Sequence, residues 1–303
     1  MSKITKALEK AARERLQRQQ QPAVTALPPI SIPIERPETL SPGLGRVAAA
    51  GRLEIDAHIV AAADSKSPIA EQYRILRTNL QQLRMKPGSK TIVLTSAVNN
   101  EGKSVTAVNL ALTLARQENL KVVLIDADLR KGSIRKWLGL ADVTEGLSTV
   151  LERGGELNGS LIKLKEPGLT ILPAGPYPEH PAELLESSNM RRVLATLKAQ
   201  YDVIIIDAPP VLPVADPGIL AAQADGVILV VRAGRTQRKT VSQAQALLKQ
   251  MKANVIGCVL THVEYYLPGY YRYYHTYRYG VKEPSGKDGN GTAAKPIPQE
   301  PRP

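Results

Sequence analysis

The chain has 303 residues, 43% of them hydrophobic, one cysteine (Cys258) and a formal net charge of +12. A single thiol closes no internal disulfide and builds no zinc cluster, which fits a reducing compartment. The longest apolar runs, such as 203–206 and 227–231, fall far below the ~20 residues that span a bilayer, and the first residues are basic and polar rather than a signal peptide, so a cytoplasmic chain without a membrane span is expected.

Residues 1–20 place Ile4, Leu8, Ala11, Ala12 and Leu16 at helical spacing among six Lys/Arg and two Glu, the pattern of a basic amphipathic helix. Residues 21–50 hold six prolines and little charge, the composition of an extended linker. A globular part over 51–263 follows. Apolar strands at 91–96, 121–126, 203–207, 226–231 and 255–261 alternate with helical patterns at 103–117, 184–199, 213–223 and 236–252. Strands apolar throughout and separated by helices predict a mostly parallel sheet covered on both faces, a three-layer α/β sandwich. Twelve aromatic residues are all Tyr or Trp, so the core must come from Val, Ile, Leu and Ala. Residues 264–303 lose this periodicity and read as a flexible tail, Tyr-rich and then Gly, Lys and Pro-rich.

The strand at 91–96 runs into Ala97, Val98, Asn99, Asn100, Glu101, Gly102, Lys103 and Ser104, which open a helix continuing through Val105. This is the strand, loop and helix context of a P-loop NTPase. Backbone N–H groups of Val98 to Val105 can wrap phosphates, Lys103 can reach the β- and γ-oxygens, and the Ser104 hydroxyl can ligate Mg²⁺. The strict pattern has Gly where Ala97 stands, and Asn99-Asn100 replace residues that would ease tight turns, although Asn tolerates left-handed backbone. Asp126 and Asp128 end one buried strand and Asp207 ends another. In parallel α/β sheets these strand ends line the ligand edge, so three carboxylates beside a P-loop supply what phosphoryl transfer needs to hold Mg²⁺ and orient a nucleophile.

The segments EQYRILRTNL (71–80), EGKSVTAVNLA (101–111), VVLIDADLRKG (122–132) and YDVIIIDAPPVLPVADPGIL (201–220) resemble the bacterial protein-tyrosine kinases that control capsule and exopolysaccharide assembly. The resemblance extends through PAGPYPEHPAELL (173–185), ADGVILVVRAGRT (224–236) and the tyrosine tail. It implies an ATP- and Mg²⁺-dependent P-loop enzyme that phosphorylates tyrosines of its own tail. It also implies Asp126 as base for the phenol, Asp128 and Asp207 with Ser104 at the metal, and Lys103 at the phosphates. Spacing alone leaves open which of Asp126 and Asp128 is the base. The family usually has Pro-Gly at Asn99-Asn100, and at Thr261 an Asn whose amide reads adenine in related ATPases.

Eight of eleven tyrosines (Tyr265, Tyr266, Tyr270, Tyr271, Tyr273, Tyr274, Tyr277 and Tyr279) crowd into fifteen residues, as expected of a multiply phosphorylated acceptor. Glu71, Arg74 and Arg77 share nearly one helical face, ordinarily a solvated one. In the resembling family this E-x-x-R-x-x-R pattern joins neighbouring subunits into a ring and delivers one subunit's tail to the next one's active site. The resemblance further implies a membrane-embedded polysaccharide co-polymerase as activator, a protein-tyrosine phosphatase, and a position at the inner face of the membrane. No nucleic-acid partner is expected. The alternative is a partition or division-site ATPase that uses ATP for positioning. Those proteins have a signature lysine where this chain has Val98, and they lack a tyrosine cluster.

Overall fold

The computed structural model describes residues 30–33, 52–63, 67–83, 88, 90–140, 143–157, 159–164 and 168–263. The N-terminal basic stretch and the tail tyrosines lie outside the described residues. Ile30–Pro33 (β1), inside the stretch read as linker, pairs antiparallel with Arg52–Ile55 (β2), so the linker composition contains one short pairing strand. Two helices follow, Val60–Ala63 (α1) and Pro68–Gln82 (α2). The second is fixed at its start by Ser67, whose hydroxyl accepts from Ala70 N–H at 3.0 Å, and by Pro68 in its first turn.

The remaining elements are Lys90–Ser96 (β3), Lys103–Ala115 (α3), Val122–Asp126 (β4), Ile134–Trp137 (α4), Leu147–Glu152 (α5), Ile162–Lys163 (β5), Thr170–Leu172 (β6), Pro181–Glu186 (α6), Ser188–Gln200 (α7), Val203–Asp207 (β7), Asp216–Ala221 (α8), Gly226–Arg232 (β8), Arg238–Gln250 (α9) and Val255–Thr261 (β9), of which α4, α5, β5 and β6 are additions to the alternation the sequence predicts. The single helix expected over 184–199 is two. Ser187 takes an extended backbone between them, its hydroxyl donating to Leu184 O at 2.7 Å and accepting from Met190 N–H at 3.2 Å, so one residue closes α6 and caps α7.

Seven strands form one sheet in the order β5-β6-β4-β7-β3-β8-β9, parallel except for the β5/β6 pair. Alternate side chains of the central strands enter separate layers. Ile92, Leu94, Leu124 and Ile205 pack with Ala61, Leu80, Leu110 and Ile134 from α1 to α4. Val93, Ile125, Ile204 and Ile206 pack with Leu151, Leu185, Leu197, Leu220 and Leu248 from α5 to α9. Burying each such side chain is worth about 1.5–3 kcal/mol, so the sandwich rests on aliphatic packing. Ser96, Asp126, Asp207, Arg232 and Thr261 all stand at the carboxyl ends of their strands, on one edge of the sheet. No described helix is long and apolar enough to cross a membrane.

Candidate active site

The loop between β3 and α3 turns in left-handed backbone at two places, Asn100 (φ 64°) and Gly102 (φ 90°). Asn100 therefore supplies the tight turn that the missing glycine would otherwise make, because Asn is among the few L-residues that enter this region at low cost. At Gly102 a side chain would be strained by φ and would sit 3.3 Å from Thr261 Cγ2. Glycine is needed there, and α3 begins directly after it, with Thr106 N–H bonding Gly102 O at 2.9 Å.

Lys103 is nearly buried and converges on the carboxylates. Its Nζ donates to Asp128 Oδ2 at 2.7 Å, lies 3.5 Å from Asp207 Oδ1, and approaches Ser104 Oγ at 3.3 Å. Asp126 and Asp207 are opposite each other across β4 and β7, and both are 0% exposed. The two oxygens of Asp126 accept from Ile134 N–H at 2.9 Å and Asp128 N–H at 3.3 Å. Burial, then repulsion from Asp207, pushes the Asp126 pKa up to about 8. Burial also raises Asp207, against the pull of Lys103. Burial disfavours the Lys103 charge, but Asp207 and Asp128 outweigh it and hold its pKa above the usual lysine value.

Both oxygens of Asp207 are buried without a hydrogen bond, an expensive condition that a bound cation and its shell would relieve. Among the described residues no three His, Cys, Asp or Glu side chains form an all-protein metal cage. Mg²⁺ needs no such cage, since it is held by one or two carboxylates, water and substrate phosphates. Ser104, Asp128 and Asp207 match that donor set. The Ser104 hydroxyl is held in place by Ser133 Oγ, which donates to it at 2.8 Å.

Several contacts around this cluster escaped the sequence reading. The Glu101 side chain folds back inside the loop and toward β8: Oε2 accepts from the loop's own Val98 N–H at 2.9 Å, which is thereby taken from the phosphates, and Oε1 accepts from the Thr236 hydroxyl and from Arg232 N–H at 3.4 Å. Only its backbone, therefore, is available to a nucleotide. Thr261 donates to Glu101 O at 2.8 Å, so the residue standing where the family has Asn fastens the loop to β9. Arg130 grips the fully buried carboxylate of Asp216 bidentately, at 2.8 and 3.0 Å, tying the segment after β4 to α8. Spacing gives no sign of this pair, because its members are 86 residues apart.

The Glu71, Arg74 and Arg77 group lies elsewhere, on α2. Glu71 and Arg74 pair at 2.6 Å, and Arg77 reaches Thr113 O on α3 at 3.4 Å. All three are half-buried, so this face is packed more closely than a solvated one.

With that geometry in view, the chain matches the AAA domain family over residues 89–257. It is 38% identical over 220 residues to the tyrosine-protein kinase YwqD of Bacillus subtilis, covering 71% of this chain and 91% of that protein. The chain belongs to the bacterial tyrosine-protein kinases. The putative tyrosine-protein kinase EpsB of Ralstonia solanacearum is 36% identical over 216 residues, 70% of this chain but 28% of EpsB, so the match spans about a quarter of that longer relative. The kinase domain of the Escherichia coli tyrosine kinase ETK superposes with a TM-score of 0.63 at 32% identity, covering 67% of this chain and 78% of that one. The tyrosine-kinase family and its P-loop fold agree with the resemblance carried by the four segments.

Proposed function

We propose that the chain is an ATP- and Mg²⁺-dependent tyrosine autokinase that transfers the γ-phosphate of ATP to tyrosines 265–279 of a neighbouring copy. The observation that carries this reading is the convergence of Lys103, Ser104, Asp128 and Asp207 in one contact cluster, with both Asp207 oxygens buried and free of hydrogen bonds. Backbone N–H groups of Asn99 to Val105, through the start of α3, bind the phosphates, the Val98 N–H being held by Glu101. Lys103 moves its contact from Asp128 to the β- and γ-oxygens. Ser104, Asp128 and Asp207 would hold Mg²⁺, which when bound would neutralise charge on the phosphates.

The tyrosine oxygen forms the new bond to the γ-phosphorus as the bond to the ADP oxygen breaks, and the phenolic proton passes to the Asp126 carboxylate. A phenol has a pKa near ~10, so a carboxylate of raised proton affinity is the better-matched acceptor once ionised, and because Asp126 holds its proton up to about pH 8 in the nucleotide-free protein, transfer should speed as pH rises toward 8. Glu71, Arg74 and Arg77 form the contact between subunits that brings one tail to the next site. The enzyme acts at the inner face of the membrane beside a polysaccharide co-polymerase, with residues 1–20 as the available anchor. It regulates capsule or exopolysaccharide polymerisation and export, and a phosphatase resets the tail. The test is a phosphotyrosine blot of purified wild type and Lys103→Ala after ATP and Mg²⁺. Signal in the wild type alone supports the reading, and equal signal in both contradicts it.

A further inference from the structure

The sheet edge beside the P-loop carries a charge pattern that phosphoryl transfer does not use. Residues 226–263 contain no aspartate or glutamate and six Lys/Arg, at 232, 235, 238, 239, 249 and 252. Arg235, Arg238 and Lys239 are exposed in the β8–α9 turn and the first turn of α9, and none of the three has an ion pair among the described residues. Glu101 is the carboxylate bonded to this turn, and it is buried and occupied by Arg232 N–H and Thr236. Helix α9 has no acidic residue in its first turn and opens on Arg238-Lys239, at the positive end of its dipole. Cations there are disfavoured, and among the described residues no ion pair compensates them.

The same turn stands where the chain leaves the sheet. Arg232 is opposite Thr261, and Ala233 N–H bonds Thr261 O at 3.0 Å. Tyr265 follows four residues later. At about 3.3–3.6 Å of extension per residue, the tyrosine run begins within reach of Arg235 and Arg238. Residues 265–279 include Arg272 and Arg278 and no acidic side chain, so the unmodified run is cationic. Each phosphate adds about −1.5 to −2 charge, so two of them reverse its sign.

We propose that Arg235, Arg238 and Lys239 form a docking site for the chain's own residues 265–279 once these carry phosphotyrosine. Like charge repels the unmodified tail from the turn and leaves it available as substrate. The phosphorylated tail is held there, because guanidinium groups pair with phosphate oxygens bidentately. Phosphorylation thereby moves the tail from substrate to a ligand of its own domain. This rests on the reading that the tail tyrosines are phosphorylated.

The test uses synthetic peptides of residues 265–279, unmodified and phosphorylated at Tyr265 and Tyr270, titrated by fluorescence anisotropy. The protein is the full-length chain, dephosphorylated beforehand and kept free of nucleotide, compared with the Arg235→Ala, Arg238→Ala, Lys239→Ala triple variant and with Arg235→Glu. The phosphopeptide should bind the wild type at least about tenfold more tightly than the unmodified peptide. The triple variant should lose at least about tenfold and Arg235→Glu should also weaken binding, with unchanged circular dichroism for both and with binding that falls as salt rises. Equal binding to wild type and variants, or no preference for phosphate, would overturn the proposal. Phosphatidylserine vesicles that bind through these residues, without any preference for the phosphopeptide, would assign the turn to a membrane and overturn it equally. Because the peptides are made chemically, a failed kinase reading shows separately, as wild-type protein that gains no phosphotyrosine from ATP.

Discussion

The carboxylates ending β4 and β7 and the cations of the β8–α9 turn occupy the same edge of one sheet, yet they stand in opposite environments. Asp126 and Asp207 are fully buried, and Lys103 beside them is 8% exposed, so removing any one of them acts on the others through a medium that water does not screen. Arg235, Arg238 and Lys239 are exposed and without ion pairs among the described residues, so each acts nearly alone and salt can screen it. A buried group with an unmet need marks chemistry, as the Asp207 oxygens, buried without a hydrogen bond, do. An exposed cluster without a partner marks an encounter surface.

The largest effect should come from Lys103→Ala, which withdraws the cation in contact with Asp128 and Asp207. Nucleotide binding and phosphotransfer should be lost, by about 10³-fold or more in rate. Unfolding in denaturant at neutral pH should show a loss of about 3–5 kcal/mol, as when one partner of a buried ion pair is removed. Lys239→Ala, measured in the same way, should stay within about 0.5 kcal/mol. Equal costs for the two would erase the distinction between the regions.

Asp126→Asn should keep ATP affinity and slow single-turnover phosphotransfer by about 10²–10⁴-fold, since an amide cannot accept the phenolic proton. An unchanged rate would move the base to Asp128 or remove it. The same variant sharpens the electrostatic side of the comparison. Asp126 binds its proton up to about pH 8 when folded, against an ordinary value of 3.8, so it favours the fold below about pH 3.8 and loses that contribution as pH rises through about 8. In buffer free of nucleotide and Mg²⁺, the melting temperature of the variant should decline less than that of the wild type across this window.

Thr261→Val removes one hydroxyl that holds Glu101 O and so loosens the phosphate loop. Stability should fall by about 0.5–1.5 kcal/mol, with KM for ATP raised more than kcat is lowered. A change in neither would leave the loop fixed by Glu101 alone. Replacing Glu71, Arg74 and Arg77 together by Ala should cost only modest stability, about 0.2–0.5 kcal/mol for the intrahelical pair and about 0.5–1.5 kcal/mol for the Arg77 bond to Thr113 O. Their effect should appear in assembly: light scattering should show monomers and phosphorylation should slow, and an unchanged mass would count against the contact.

The central strands were legible because each is a continuous aliphatic run closed by a polar residue. The runs at 203–207 and 255–261 match β7 and β9 at both ends. Gly102-Lys103-Ser104 and the strand-end aspartates were legible for a related reason: the fold puts strand ends on one edge, so their positions follow once the strands do. Thr170–Leu172 and Ile162–Lys163 are too short to display a period. The break at Ser187 had a local signal in its capping hydroxyl, which a helical periodicity across 184–199 conceals. Thr261 read as a departure from the family because its partner, the carbonyl of Glu101, is 160 residues away. Arg130 and Asp216 were silent for the same reason.

The central claim is that this site phosphorylates the tail of another copy. Its most direct measurement mixes two full-length chains with radiolabelled ATP and Mg²⁺. One chain has an intact site and all eight tail tyrosines changed to Phe, and the other is a size-tagged Lys103→Ala chain that keeps its tyrosines. Label on the tagged chain, appearing only in the mixture, is the predicted result. Label on the tagged chain incubated alone, or none in the mixture while wild type labels itself, would contradict it.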